Sequence, residues 1–182
     1  MQMSPLGRKV ALVAHIGCSA GWLGAVLTSL VLAIVGVSTR DSQVMGGAYL
    51  LLEVVGWYAL VPLSFASLLT GLLQGLGTKW GLFRHYWIIT KLALNIVAIG
   101  VLLLYMQTLV YLADVASSPA FPTDVDRMAG MSPVVHGAAA VALLLAALVL
   151  SVIKPRGLTA HGQRRTVPMT HDDRALKTAR LN

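Results

Sequence analysis

Four long apolar runs constrain this chain more than any other feature of its sequence. They extend roughly over Val10 to Val37, Gly46 to Leu73, Tyr86 to Ala113 and Pro133 to Ile153. Each reaches the ~20 residues a helix needs to cross the hydrocarbon core of a bilayer. Composition agrees, with 57% hydrophobic and only 12% charged residues, about half the charged share of a soluble domain. The expected fold is all-α, a transmembrane antiparallel four-helix bundle over residues 1–153. The first run is too long for the ~7–15-residue apolar region of a secretory signal and lacks a clear small-x-small cleavage site, so it reads as a retained anchor.

Cations fix the expected orientation, because Lys and Arg in short flanking segments resist export. Arg8 and Lys9 precede the first span, Lys79 and Arg84 lie between the second and third, and Lys154, Arg156, Arg164, Arg165, Arg174, Lys177 and Arg180 follow the fourth. The opposite loops hold only Arg40 and Arg127, beside Asp41, Asp114, Asp124 and Asp126. Both termini are therefore expected in the cytoplasm and the chain as a multi-pass protein of the bacterial plasma membrane.

The net charge of +7 is concentrated in the segment 154–182, a basic tail expected to be disordered, where Pro155, Gly157, Gly162 and Pro168 discourage a continuous helix. Juxtamembrane cations each gain about 1 kcal/mol near an anionic leaflet. Membrane lipid, including anionic lipid at the tail, is thus the expected partner, and nucleic acid is not. A homo-oligomer or a membrane-protein partner is also compatible with so small a bundle. Cys18 is the single cysteine, which excludes an internal disulfide and a cysteine-only metal cage. The sequence contains no Gly-rich phosphate loop, no paired-cysteine motif and no sizeable soluble domain.

Helices in lipid associate through close packing of small residues. Gly17, Gly21, Gly24 and Thr28 fall on one stripe of the first span, and the fourth is rich in alanine from Ala138 to Ala147, so both read as packing surfaces. Pro62 is expected to kink the second span without a functional role.

Polar residues inside these runs carry the functional signal. The stretch HYWIITKLALN places His85, Lys91 and Asn95 at the start of the third span. Trp87, Lys91, Asn95, Ala98, Leu102 and Tyr105 share a stripe at about 100° per residue, which Arg84 extends toward the cytoplasm. On the first span His15, Cys18, Ser19, Trp22, Val26 and Ser29 form a face distinct from the glycines. Ionisable residues at a span centre cost about 2.5–3.5 kcal/mol and usually turn inward to partners or a water-filled cavity. One reading is therefore a cytoplasmic-side polar pocket of His15, Lys91 and Asn95 with His85 at its rim. The other is a lysine whose stem snorkels to the interface. On the second span Glu53, Trp57, Leu60, Ser64, Ser67, Gly71 and Gln74 form a stripe expected to line the bundle interior. Glu53 and His136 enter from the opposite side and could meet there.

Three chemistries fit these residues. Haem is held in membrane bundles between histidines, with cations near the propionates, which would use His15, with His85 as the same-side partner, and Lys91 or Arg84. Copper(I) favours soft sulfur and imidazole, which Met128, Met131 and His136 offer at the outer mouth, a weaker signal because methionine there is commonly apolar filler. A proton-coupled path through Glu53, His15 and Lys91 is the third, and it would require oligomerisation. A structural accessory subunit, in which polar residues only fix helix register, remains open beside them.

At AHIGCSAGWLGAVL and HYWIITKLALNIVAIGVLLLYM the chain resembles a group of small bacterial four-span membrane proteins of unknown function. It is more distantly similar to the copper-resistance D membrane domain and to protoporphyrinogen oxidase of the HemJ type. The residues carrying this resemblance are His15, the Trp22-Leu23-Gly24 segment, and the Trp87-x-x-x-Lys91 motif. The resemblance spans about residues 8 to 150 and implies the four-span fold, a role for His15 and Lys91, and haem as a cofactor.

Overall fold

In lipid no water is present to satisfy a backbone N–H or C=O, so each run of this length must close its hydrogen bonds within a helix. The computed structural model describes residues 3–77, 86–118, 129–153 and Thr159. Among them, four helices are long and apolar enough to span a membrane: α1 Pro5–Ser38, α2 Ser42–Gly77, α3 Tyr86–Ala116 and α4 Met131–Ile153. All four coincide with the apolar runs and extend beyond several of their ends. His85, Met128, Lys79, Arg84 and the tail other than Thr159 lie outside the described residues.

Local chemistry sets the helix ends. Pro5 occupies the first turn of α1, where no N–H is needed, and Ser4 Oγ accepts from the N–H of Gly7 at 3.1 Å. At the far end, Asp41 caps α2 by accepting from the N–H groups of Gln43 and Val44 at 2.8 and 3.3 Å. A carboxylate is favoured there by the partial positive charge of a helix N-terminus. The link between α1 and α2 is only three residues, Thr39 to Asp41, so the two helices must pack side by side.

Contacts place α1 against α2 and α4, and α3 against α2 and α4, leaving α1 and α3 across a diagonal. Residue numbers fall along one partner as they rise along the other: Ala11 meets Gln74, His15 meets Thr70, and Ser19 meets Ser67. Lys91 meets Ser151 and Tyr105 meets His136 in the same opposed order on α3 and α4. Two apolar clusters fill the centre. One joins Ala33, Met45, Tyr49, Leu52, Met106, Leu109 and Leu112, and the other Trp22, Val26, Leu60 and Ile99. The side chains facing outward are also apolar, from Leu104 on α3 to Val152 on α4. An apolar outer surface on helices of this length suits lipid surroundings.

The small-residue stripe of α1 is not its main packing face. A Cβ added at Gly17 or Gly24 would meet nothing within 4 Å, and only Gly21 approaches a neighbour, Leu63. The buried face is the one carrying Trp22, Val26 and Ser29. Most alanines of α4 are exposed as well, and Pro133 is the single buried residue among those described on that helix. Close approach instead occurs where isolated glycines meet large side chains, with Gly36 against Tyr49 and Gly56 against Met106. Spacing alone does not tell which face of a helix meets protein and which meets lipid.

Pro62 acts through a widened turn. Its ring would clash with the carbonyl four residues back, and α2 answers with one π-type turn at Gly56–Leu60, closed by Val61 N–H donating to Gly56 O. Such a turn accommodates one extra residue. Leu52 and Ser64 would stand about 120° apart on a uniform helix, yet both are buried, at 2% and 0% exposure. The wide turn resets the register so that Met45, Tyr49, Leu52, Gly56, Leu60, Ser64 and Ser67 make one continuous inner face.

Candidate functional site

The polar residues expected at the start of α3 and on α1 meet in a layer near the N-terminal end of α1. His15 Nδ1 lies 3.2 Å from Ser67 O and 3.1 Å from Thr70 Oγ1. Thr70 donates its own hydroxyl proton to Ala66 O at 2.7 Å, so its oxygen is left to accept. Both neighbours of Nδ1 are therefore acceptors, which assigns the proton to Nδ1 and leaves Nε2 with a free lone pair. The ring lies flat on α2 because residue 71 is glycine: a Cβ there would stand 3.1 Å from His15 Cε1.

The same logic orients Lys91. Ser151 donates to Ala147 O at 2.8 Å, and its oxygen accepts from Lys91 Nζ at 2.6 Å. Lys91 is half-buried and within Coulombic reach of His15. The structure thus brings an imidazole of α1 and an ammonium of α3 into one layer, tied respectively to α2 and α4. Asn95, one turn deeper than Lys91 on the same face, has a buried Oδ1 with no hydrogen-bond partner among the described residues. Ser19 and Ser67, bonded at 2.8 Å, stand at the corresponding depth between α1 and α2. Gln74 Nε2 donates to Ala11 O at 2.9 Å, closing the polar seam toward the chain's first residues.

Part of the polar stripe expected on α2 belongs to this seam. Ser67, Gly71 and Gln74 face α1, and Ser64 is fully buried with its hydroxyl donating to Val61 O at 2.7 Å. At the wide turn and beyond it the stripe departs from expectation: Trp57, within the turn, is 48% exposed, and Glu53 is only half-buried. The extra residue of the π-type turn hands the inner face to Leu52 and Gly56 instead. A reading at constant 100° per residue passes over that reset.

At the other end of the bundle His136 makes its contacts with Ser132 and Tyr105, not with Glu53. Its Nδ1 donates to Ser132 O at 2.9 Å, and its ring stacks on Tyr105 with centroids 4.2 Å apart and planes 16° from parallel. Met131 is exposed, and Met128, the other expected soft ligand, is outside the described residues. Among the described residues no group of three or more His, Cys, Asp or Glu side chains converges as a metal site would require.

Sequence reasoning did not anticipate a cavity of about 240 Å³ between the polar layer and His136, lined mainly by apolar side chains of α1, α3 and α4. Tyr105, Ser29 and His136 supply polar groups at one end, while Trp22 and Leu144 line its deeper part. Its only trace in the sequence is the small size of Ala98, Gly137, Ala139 and Ala140, which leave the space open. Comparison with protein-family models, with curated proteins and with solved structures finds no match to this chain.

Proposed function

We propose that this chain is an antiparallel four-span protein of the bacterial plasma membrane, with both termini cytoplasmic, that binds haem through His15 in a redox role. The observation that carries the reading is the state of the His15 ring. Its Nδ1–H is held by Ser67 O and Thr70 Oγ1, the outer-sphere arrangement that fixes a ligating imidazole and raises the basicity of its other nitrogen. The donor set fits the group: Nε2 of His15 would ligate the iron, and Lys91 would offset the charge of a propionate. Haem bound there would supply one-electron transfer. The protein's own residues orient the imidazole through Ser67 O and Thr70 Oγ1, and Lys91 would neutralise a carboxylate held in the same layer. The resemblance to the copper-resistance D domain and to HemJ-type oxidase, carried by His15, Trp87 and Lys91, supports the same reading.

The test is the visible spectrum of full-length protein purified from haem-supplemented cells. A Soret band that His15→Ala removes, while Cys18→Ala keeps it, is the expected result. A colourless wild-type protein with intact helical signal would reject haem binding.

A structural accessory role is the second reading. It is favoured because His15, Ser19, Gln74 and Lys91 each bond across to another helix, as register-fixing residues would. It predicts that His15→Ala lowers folding yield and removes no spectroscopic signal.

A further inference from the structure

The cavity between α3 and α4 has the shape and polarity of a lipid-phase ligand site independent of the His15 layer. These two helices touch through Lys91 and Ser151 at one level and through Tyr105 and His136 at another. Between the two levels they part. The cavity lies in that gap, and Val97 and Val101, which line it from α3, remain 57% and 49% exposed. Its opening is therefore lateral, into the hydrocarbon region.

An engineered cavity of about 150 Å³ suffices to hold benzene, so 240 Å³ accepts a larger apolar body. From His136 to Leu144 on α4 is about 12 Å at the helical rise. A cleft of that length lined almost wholly by apolar side chains suits a hydrocarbon chain. Polarity is confined to the end that carries His136. There, Nδ1–H is consumed by Ser132 O, leaving Nε2 as an acceptor. Tyr105 Oη is buried without a well-formed hydrogen bond, with Ser132 as the polar group beside it. A carboxylic acid matches both groups: its O–H shares a proton with Nε2 of His136 and its other oxygen accepts from Tyr105. Any negative charge that results sits near the N-terminal turns of α4, where helix N–H groups favour it.

We infer that this cleft binds one long-chain carboxylic acid from the bilayer, its head at His136 and Tyr105 and its chain running past Trp22. Trp22 lines the cavity while only 3% exposed, which makes it a built-in reporter.

The experiment uses the full chain in phospholipid nanodiscs with Trp57, Trp80 and Trp87 changed to Phe. Stearic acid bearing a nitroxide at mid-chain should quench Trp22 saturably, and more strongly than stearic acid labelled beside the carboxyl. Unlabelled stearic acid should relieve the quenching. Ala98→Phe, which fills the cleft, should abolish the saturable component, and His136→Gln should weaken apparent affinity about tenfold, the scale of one strong hydrogen bond. Retained blue-shifted Trp22 emission without probe certifies the fold of each variant, and Leu143→Phe replaces Ala98→Phe should the latter lose it. Quenching that rises linearly without saturation, or that the filling variant leaves unchanged, overturns the site. Stearyl alcohol competing as well as stearic acid overturns the assigned head. A dimer in native mass spectrometry with no saturable quenching assigns the gap to a second copy instead.

Discussion

Replacing Gly71 by alanine tests whether the His15 ring lies where the polar layer requires it. The new methyl would stand 3.1 Å from His15 Cε1 and 3.6 Å from Nδ1, closer than a carbon contact of about 3.5–4.0 Å allows. The ring must yield by a few tenths of an ångström. Its two hydrogen bonds, already 3.1 and 3.2 Å long, then pass toward lengths at which they no longer count. Interhelical hydrogen bonds in membranes average about 0.6 kcal/mol and reach about 1.7. Opposing this is the intrinsic gain of alanine over glycine in a helix, about 0.5–1 kcal/mol. Gly24→Ala isolates that gain, because nothing lies within 4 Å of its added methyl. Gly71→Ala should therefore fall below Gly24→Ala by about 0.6–1.7 kcal/mol, roughly a three- to twenty-fold difference in the unfolding constant. Steric-trap unfolding in bicelles measures that difference, and imidazole ¹⁵N shifts of His15 report the ring. In the His15→Ala background the gap between the two alanine variants should close, as a double-mutant cycle requires of a direct contact. Equal stabilisation by both substitutions, with unchanged His15 shifts, would refute the placement.

Three further outcomes follow from the packing. Gly36→Ala would put a methyl 2.6 Å from Cε1 of Tyr49, a rigid and fully buried ring, and should cost about 1–3 kcal/mol in the same unfolding assay. Deleting Tyr58, which is 82% exposed within the wide turn, should convert that turn to an ordinary one while keeping both halves of α2 in register. Its folding yield should exceed that of a Phe65 deletion, which lies outside the turn and rotates everything beyond it. Ser151→Ala should destabilise the bundle by about 1 kcal/mol through loss of the Lys91 partner, while Ser151→Thr retains most of the stability. Equal losses in the two variants would argue against the bond.

The existence of four helices long and apolar enough to span a membrane was legible because length and apolarity alone decide it. The inner face of α1 was legible too, since Trp22, Val26 and Ser29 hold to a uniform helical period and are buried; on α3 the expected stripe turns toward α4 at Lys91 and Tyr105, while the buried positions are Ile99, Met106, Leu109, Leu112 and Ala113. Two features were not legible. Gly17 and Gly24 share a period with a packing stripe but point to open space, because in lipid the outward face is as apolar as the inward one and small residues occur on both. The reset of α2 at Gly56–Leu60 moved Trp57 away from the inner face, and no periodic count can locate an inserted residue without knowing where Pro62 forces the turn to widen. The cavity escaped for a related reason: it is defined by what Ala98 and Ala140 lack.

Among the described residues, helix α4 has Pro133 as its one buried residue and meets the two apolar clusters through the partly buried Val134, Ala140, Val141 and Leu144, whereas α1, α2 and α3 supply every fully buried member of both. The first three spans can therefore assemble during synthesis before the fourth has left the ribosome. The fourth then behaves like a loose stave in a barrel, the piece whose departure and return disturb the others least. Amide exchange along the chain should carry that hierarchy as a gradient, fastest in the final span.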